Sequence, residues 1–119
     1  MRHRKKGKIF SRERGARVSL MRNLAESLIL HEKMVTTVSK AKAVKPLVER
    51  MVTRAKSQDV SLSDRRALLS DLPNREAVNK LLQKIAPRYR DRKGGYLRVT
   101  KMQNRSGDGA PLAQIEFIK

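Results

Sequence analysis

Two histidines, His3 and His31, are the only side chains in this 119-residue chain whose ordinary titration falls near neutral pH. His31 is followed by Glu32, an acid–base pair on paper of the kind a small nuclease uses. Adjacent residues on a helix do not face each other, however. His3 belongs to a different stretch, and Asp59, Asp64, Asp71 and Glu76 are scattered among expected loops and helix starts, where they cap or solvate. No second member of a base–nucleophile arrangement exists. His31 is better explained as a cation at a helix C-terminus, where the macrodipole favours positive charge. Gly107-Asp108-Gly109 looks like a calcium loop for three residues and then stops, and no phosphate-loop or dinucleotide pattern occurs. Without cysteine there is neither a disulfide scaffold nor a cysteine-ligated zinc site. The expectation is a protein with no catalytic residues, no metal, no cofactor and no small-molecule substrate.

The binding chemistry is far more pronounced. Twenty-nine Lys and Arg against eleven acids give +18 and a pI near 11.3, the electrostatic footprint of a nucleic-acid partner. The charge is segregated. Residues 1–22, MRHRKKGKIFSRERGARVSLMR, hold Arg2, Arg4, Lys5, Lys6, Lys8, Arg12, Arg14, Arg17 and Arg22 against Glu13, for +8. Residues 87–106 hold Arg88, Arg90, Arg92, Lys93, Arg98, Lys101 and Arg105 against Asp91, for +6. Before Phe10 only Ile9 and the first Met could be buried, so residues 1–10 read as an extended, self-repelling arm reaching roughly 30 Å. Four aromatics, Phe10, Tyr89, Tyr96 and Phe117, offer at most Tyr89 and Tyr96 for stacking on bases. Binding is therefore expected to be dominated by phosphate and groove shape, with Arg pairing its planar fork to phosphate oxygens.

Competing readings fare worse. A DNA-compacting protein would share the charge, but such proteins often wedge apolar side chains between base steps, and the Gly94-Gly95 and Gly107 turns carry no such wedge. A cationic membrane-surface helix would flank its apolar face with charge, whereas here the basic arm precedes the amphipathic stretch. No apolar run approaches the length of a membrane span, and the start lacks the apolar region of a secretory signal. An Arg-rich start also suits a transit peptide, but residues 12–22 lead straight into a good helix. The expected location is the cytoplasm, with no membrane partner.

One small domain must position these cations. Leu20, Met21, Leu24, Ala25, Leu28 and Ile29 recur at helical spacing, predicting a helix over 12–31 with Ser11 as its cap and Glu13 in its first turn. The β-branched residues 34–38 predict a short strand. Ser39 then caps a second helix with the stripe Ala41, Val44, Val48, Met51, Val52 and Ala55, kinked at Pro46. Residues 57–61 read as a loop. Ser63 and Asp64 open a short helix packing by Leu68 and Leu69, and Pro73 interrupts it. Asn74 caps a further helix, striped by Val78, Leu81, Leu82 and Ile85 and ended by Ala86-Pro87. Residues 96–103 and 112–118 alternate and form a hairpin across a turn-rich loop, with Leu97 and Val99 opposite Tyr96 and Arg98, and with Ala113, Ile115 and Phe117 inward. The strand at 34–38 joins that hairpin, since two strands alone are marginal. The expected fold is α+β, two layers with helices over one face of a three-stranded sheet; residues 1–10 are the arm and 11–119 the globular domain.

Several spaced blocks also carry a family likeness. Met1-Arg2-His3-Arg4-Lys5 with Gly7, then Arg22-Asn23, Ala25, Ser27-Leu28, His31-Glu32, Thr36-Thr37 and Lys40-Ala41-Lys42, resemble the bacterial large-subunit ribosomal protein number seventeen family. So do Pro87-Arg88-Tyr89, Arg92, Gly94-Gly95-Tyr96, Arg98, Arg105, Gly107-Asp108, Ala110-Pro111, Ala113 and Ile115-Glu116. The likeness covers the whole chain, is sparse over 57–74, and departs at Ala16, where the family pattern has a histidine before Arg17. It implies a two-layer α/β domain with a mixed sheet. It also implies a structural, non-catalytic constituent of the large ribosomal subunit that acts in translation, binding ribosomal RNA and neighbouring subunit proteins on the solvent side near the exit-tunnel rim. The expected RNA-binding set is Arg2, His3, Arg4, Lys5, Lys6, Lys8, Arg12, Arg14, Arg17, Arg22, Asn23, Lys40, Lys42, Arg88, Arg90, Arg92, Lys93, Tyr96, Arg98 and Arg105.

Overall fold

The computed structural model describes residues 10, 13–56 and 60–118. Residues 1–9, Ser11 and Arg12 lie outside the described residues, and with them the expected arm, its cations and the Ser11 cap. Helix α1 spans Arg14–His31, strand β1 Lys33–Thr37 and helix α2 Val38–Ala55. Helix α3 spans Leu62–Asp71 and helix α4 Arg75–Lys80, and α4 runs on through a π-helical turn at Leu81–Ile85 and a 3-10 turn at Ala86–Tyr89. Strands β2, Leu97–Lys101, and β3, Leu112–Phe117, complete the domain.

The sheet order is β1-β3-β2, antiparallel at both junctions. This corrects the mixed sheet that the family likeness implies. β1 and β2 do run the same way, joined by the helices, but β3 returns from its hairpin into the gap between them, so no two parallel strands are neighbours. The period-two pattern assigns the faces. Ala113, Ile115 and Phe117 of β3 are buried, and Leu97 of β2 lies opposite Phe117 in the same layer. Among the described residues no helix covers the other face, which carries Lys33, Glu116 and Arg98 in one row and Val35, Gln114 and Thr100 in the next.

All six predicted stripe residues of α2 are buried, as are Ala25, Leu28 and Ile29 of α1. α2 continues through Pro46, which sits on its exposed side. The helix ends differ from expectation for identifiable reasons. α1 is entered from Glu13, whose carbonyl accepts from the Arg17 N–H at 2.9 Å and whose side chain makes no cap bond. Val38 starts α2 instead of ending β1, and the cap is Thr37, not Ser39: Thr37 is still extended (ψ 151), as a cap must be, and its Oγ1 accepts from the Lys40 N–H. α3 opens at Leu62, one residue before the expected Ser63, and Ser61 caps it in the same extended conformation, accepting from the Asp64 N–H at 3.1 Å. Leu68 is buried, but Leu69 is 43 % exposed, because a short helix on the edge of the bundle shows the core only one of two adjacent positions. Asn74 caps α4 as expected and also donates to Glu26 on α1 at 3.0 Å. Ala86-Pro87 does not end the helical run. Pro87 falls in the first turn of the 3-10 segment, directly after the π-helical turn.

Candidate nucleic-acid interface

The cations of α1 and α2 gather first. Arg17 and Arg22 from α1 and Lys42 and Arg50 from α2 rim a cleft of about 500 Å³ floored by Val18, Met21, Ala43 and Leu47. Phe10, its backbone in the left-handed region (φ 55), lines the same cleft. Arg14 and Asn23 are exposed farther along α1. Lys40 is half-buried, with its backbone N–H engaged by the Thr37 cap.

The second basic stretch lies beyond the 3-10 turn. Tyr89, Tyr96 and Phe117 form one buried aromatic cluster, with Tyr89 and Tyr96 centroids 5.2 Å apart and Tyr89 and Phe117 centroids 6.3 Å apart. The Tyr89 hydroxyl donates to the Ile118 carbonyl, and burial pushes it above its ordinary pKa. The Tyr96 hydroxyl donates to the Arg92 carbonyl at 3.3 Å and lies 3.2 Å from Thr53 Oγ1, while Lys56 Nζ sits 5.3 Å over the Tyr96 ring and donates to the same Arg92 carbonyl. The loop after Arg92 is thereby tied to the C-terminal end of α2. Tyr96 is fully buried, which corrects its place in the expected RNA-binding set. It lies ahead of β2, not on its exposed face, and its ring is spent inside the protein. No stacking platform is left from Tyr89 and Tyr96.

The remaining cations divide by whether an acid holds them. Arg88 pairs with Glu32, which also meets Lys80 at 3.4 Å. Glu32 reaches them because it ends α1 in a left-handed conformation (φ 64), its N–H donating to the Leu28 carbonyl at 2.7 Å. The Arg88 hydrogen bond, with help from Lys80 and against the effect of burial, holds the Glu32 carboxyl below its ordinary value. Arg105 pairs with Asp108, whose carboxyl it holds well below the usual carboxylate range with help from the Ala110 N–H. Arg98 lies 3.9 Å from Glu116. Among the described residues Arg90, Arg92 and Lys93 are exposed and make no ion pair.

A link that sequence reading passes over joins the two groups. Arg50 borders the α1–α2 cleft and also a second cleft of about 610 Å³, shared with Arg54, Lys93 and Gly94. Lys42, Pro46, Arg50 and Arg54 are spaced by four and form one ridge of α2. That spacing is present in the sequence as a polar counterpart to the apolar stripe. Arg17 and Arg22 of α1 thus share one cleft with the α2 ridge, and the ridge shares the next with Lys93 of the loop. Among the described residues no helix is long and apolar enough to cross a membrane.

Residues 20–118 match the family described as ribosomal protein L17. The chain is 52 % identical over 120 residues to the large ribosomal subunit protein bL17 of a Hydrogenobaculum species, covering the whole of both. It is 51 % identical to the protein of that name from Thermomicrobium roseum, over 99 % of each, and 47 % identical to the one from Thermus thermophilus, over the whole of both. With a family match over most of its length and relatives near half identity end to end, the chain belongs to the ribosomal protein L17 family.

Proposed function

We propose that this ribosomal protein is a structural constituent of the large subunit that packs large-subunit ribosomal RNA through two basic surfaces linked by the α2 ridge, with residues 1–10 as an extended arm and residues 11–119 as the globular body. The observation that carries this reading is that Arg50 of the ridge and Lys93 of the loop line one cleft without an ion pair among the described residues, while Arg90 and Arg92, exposed and likewise without one, stand just before Lys93 in the chain. A surface of that kind neutralises phosphates and releases counterions without reading sequence. The arm cations Arg2, Arg4, Lys5, Lys6 and Lys8, with His3 and Arg12, thread between RNA segments too highly charged to approach one another unaided, and order on binding. Arg14, Arg17, Arg22, Asn23, Lys40 and Lys42 serve the junction between arm and body. The family likeness favours a position on the solvent side near the exit-tunnel rim, beside neighbouring subunit proteins. Enzymatic turnover plays no part in the role of a ribosomal structural protein.

The reading is tested by co-sedimentation of a tagged copy from lysate through a sucrose gradient, before and after a high-salt wash. Stable presence in the large-subunit peak is expected, and recovery with the nucleoid instead contradicts it. Deleting residues 1–10 should leave the domain folded and weaken incorporation. Equal incorporation of the truncated chain refutes the role given to the arm.

A further inference from the structure

The second cleft, between the outer face of α2 and the loop 92–95, contains a side chain that phosphate binding does not explain. Its walls include Pro46, Glu49, Arg50, Thr53 and Lys93, and it measures about 610 Å³. Glu49 Oε1 is the one buried side-chain oxygen among the described residues with no hydrogen-bond partner. Among the described residues Glu49 makes no ion pair either, although Arg50, Arg54 and Lys93 line the same cleft. A carboxylate is an acceptor only, and an unmet buried acceptor is costly.

Resting on the RNA-binding reading above, we infer that this cleft takes one unstacked guanine of the bound RNA. Guanine is the base that presents two adjacent donors, N1–H and N2–H2, to a carboxylate. Adenine and cytosine each place an acceptor beside their amino donor, and uracil has a single N3–H between two carbonyls. The cations sort accordingly. Arg54 is committed to Asp64 at 3.9 Å and Asp71 at 4.0 Å, whereas Arg50 and Lys93 make no ion pair among the described residues and are placed to meet the phosphate of the same nucleotide. Pro46, exposed on the ridge, offers an apolar surface beside Glu49 for the base to lie against. The loop side is held in place by the bonds of Tyr96 and Lys56 to the Arg92 carbonyl, and Glu49 turns its buried Oε1 outward to meet the incoming base. One base edge would then be read by a protein whose other contacts carry no sequence information.

The test is a 15N–1H correlation titration of the full chain with 5′-GMP, 5′-IMP, 5′-AMP, 5′-CMP and 5′-UMP, followed by the same series on Glu49→Gln. GMP is expected to shift amides of residues 46–54 and 92–96 with at least about tenfold tighter binding than AMP, CMP or UMP, the discrimination typical of a bidentate base contact. IMP, lacking the amino group, should fall between. Glu49→Gln should retain the folded spectrum and the salt-dependent binding of a mixed-sequence RNA while losing the preference for GMP. Equal responses to all five nucleotides, or an undiminished GMP preference in Glu49→Gln, overturns the inference and leaves the RNA-packing role intact. Failure of the parent chain to bind mixed-sequence RNA overturns that role and the inference together.

Discussion

Arg88 and Arg90 stand on either side of Tyr89, and nothing in their own chemistry distinguishes them. Arg88 occupies the 3-10 turn and is engaged by Glu32, 56 positions earlier in the chain. Arg90 follows that turn and, like Arg92 and Lys93, faces solvent with no ion pair among the described residues. The same contrast recurs downstream, where Arg105 is held by Asp108 three residues away. Net charge is a property of the sequence, whereas the charge offered to a polyanion depends on which cations the fold has already partnered. The +6 of residues 87–106 therefore overstates what this region presents to RNA phosphates, and the α2 ridge, with Arg50 at its centre, makes up part of the difference.

The comparison breaks most severely at Tyr96, which anchors the loop bearing the unpaired cations. Tyr96→Ala should cost about 3–5 kcal/mol in chemical denaturation, the range for losing a buried aromatic. Tyr96→Phe, which removes only the hydroxyl bonds to Arg92 and Thr53, should cost about 1 kcal/mol. A loss of RNA binding in Tyr96→Phe with stability unchanged would return the Tyr96 hydroxyl to the interface.

Glu32→Gln moves Arg88 and Lys80 from the partnered class to the free one. Its side chain is about one-third exposed, so the stability cost should stay below about 1 kcal/mol. Binding of RNA should tighten slightly. The sign of the pH effect follows from the Glu32 carboxyl lying below its ordinary value of 4.5 when folded. Its contribution is full above the unfolded value and is lost as pH falls through the folded one. Stability of the parent should therefore decline below about pH 4.5 more steeply than that of Glu32→Gln, in urea melts across roughly pH 3 to 7. Parallel profiles would remove Glu32 from this role. Asp108→Asn, on the exposed hairpin loop, should release Arg105 with the smallest effect of the series: a slight gain in RNA affinity and an unchanged melting temperature.

How much of this can be read in advance depends on the range over which each feature is determined. The six buried residues of α2 and the Ala113, Ile115 and Phe117 face of β3 are periodic over neighbouring positions, and a period survives folding. Sequence alone misplaces the α2 cap at Ser39 because Thr37, two residues earlier, supplies an equally suitable oxygen, and only backbone geometry chooses between them. Leu69 reads as core because two adjacent leucines look equivalent until the packed face of α3 is known. Tyr96 reads as an exposed strand residue because the alternation extends one position past the true start of β2 at Leu97. The Glu32–Arg88 pair is beyond reach of spacing altogether, since it depends on the left-handed end of α1 meeting the 3-10 turn from the far end of the chain.

Unpartnered cations, and not net charge, make the proposed interface. The direct test is the salt dependence of RNA binding by two double variants of equal charge change, Arg90→Ala with Arg92→Ala and Arg88→Ala with Arg105→Ala. The slope of log affinity against log salt should fall by roughly 2 for the first pair and by less than about 1 for the second. Equal losses from the two pairs would contradict the account and return the interface to a matter of net charge alone.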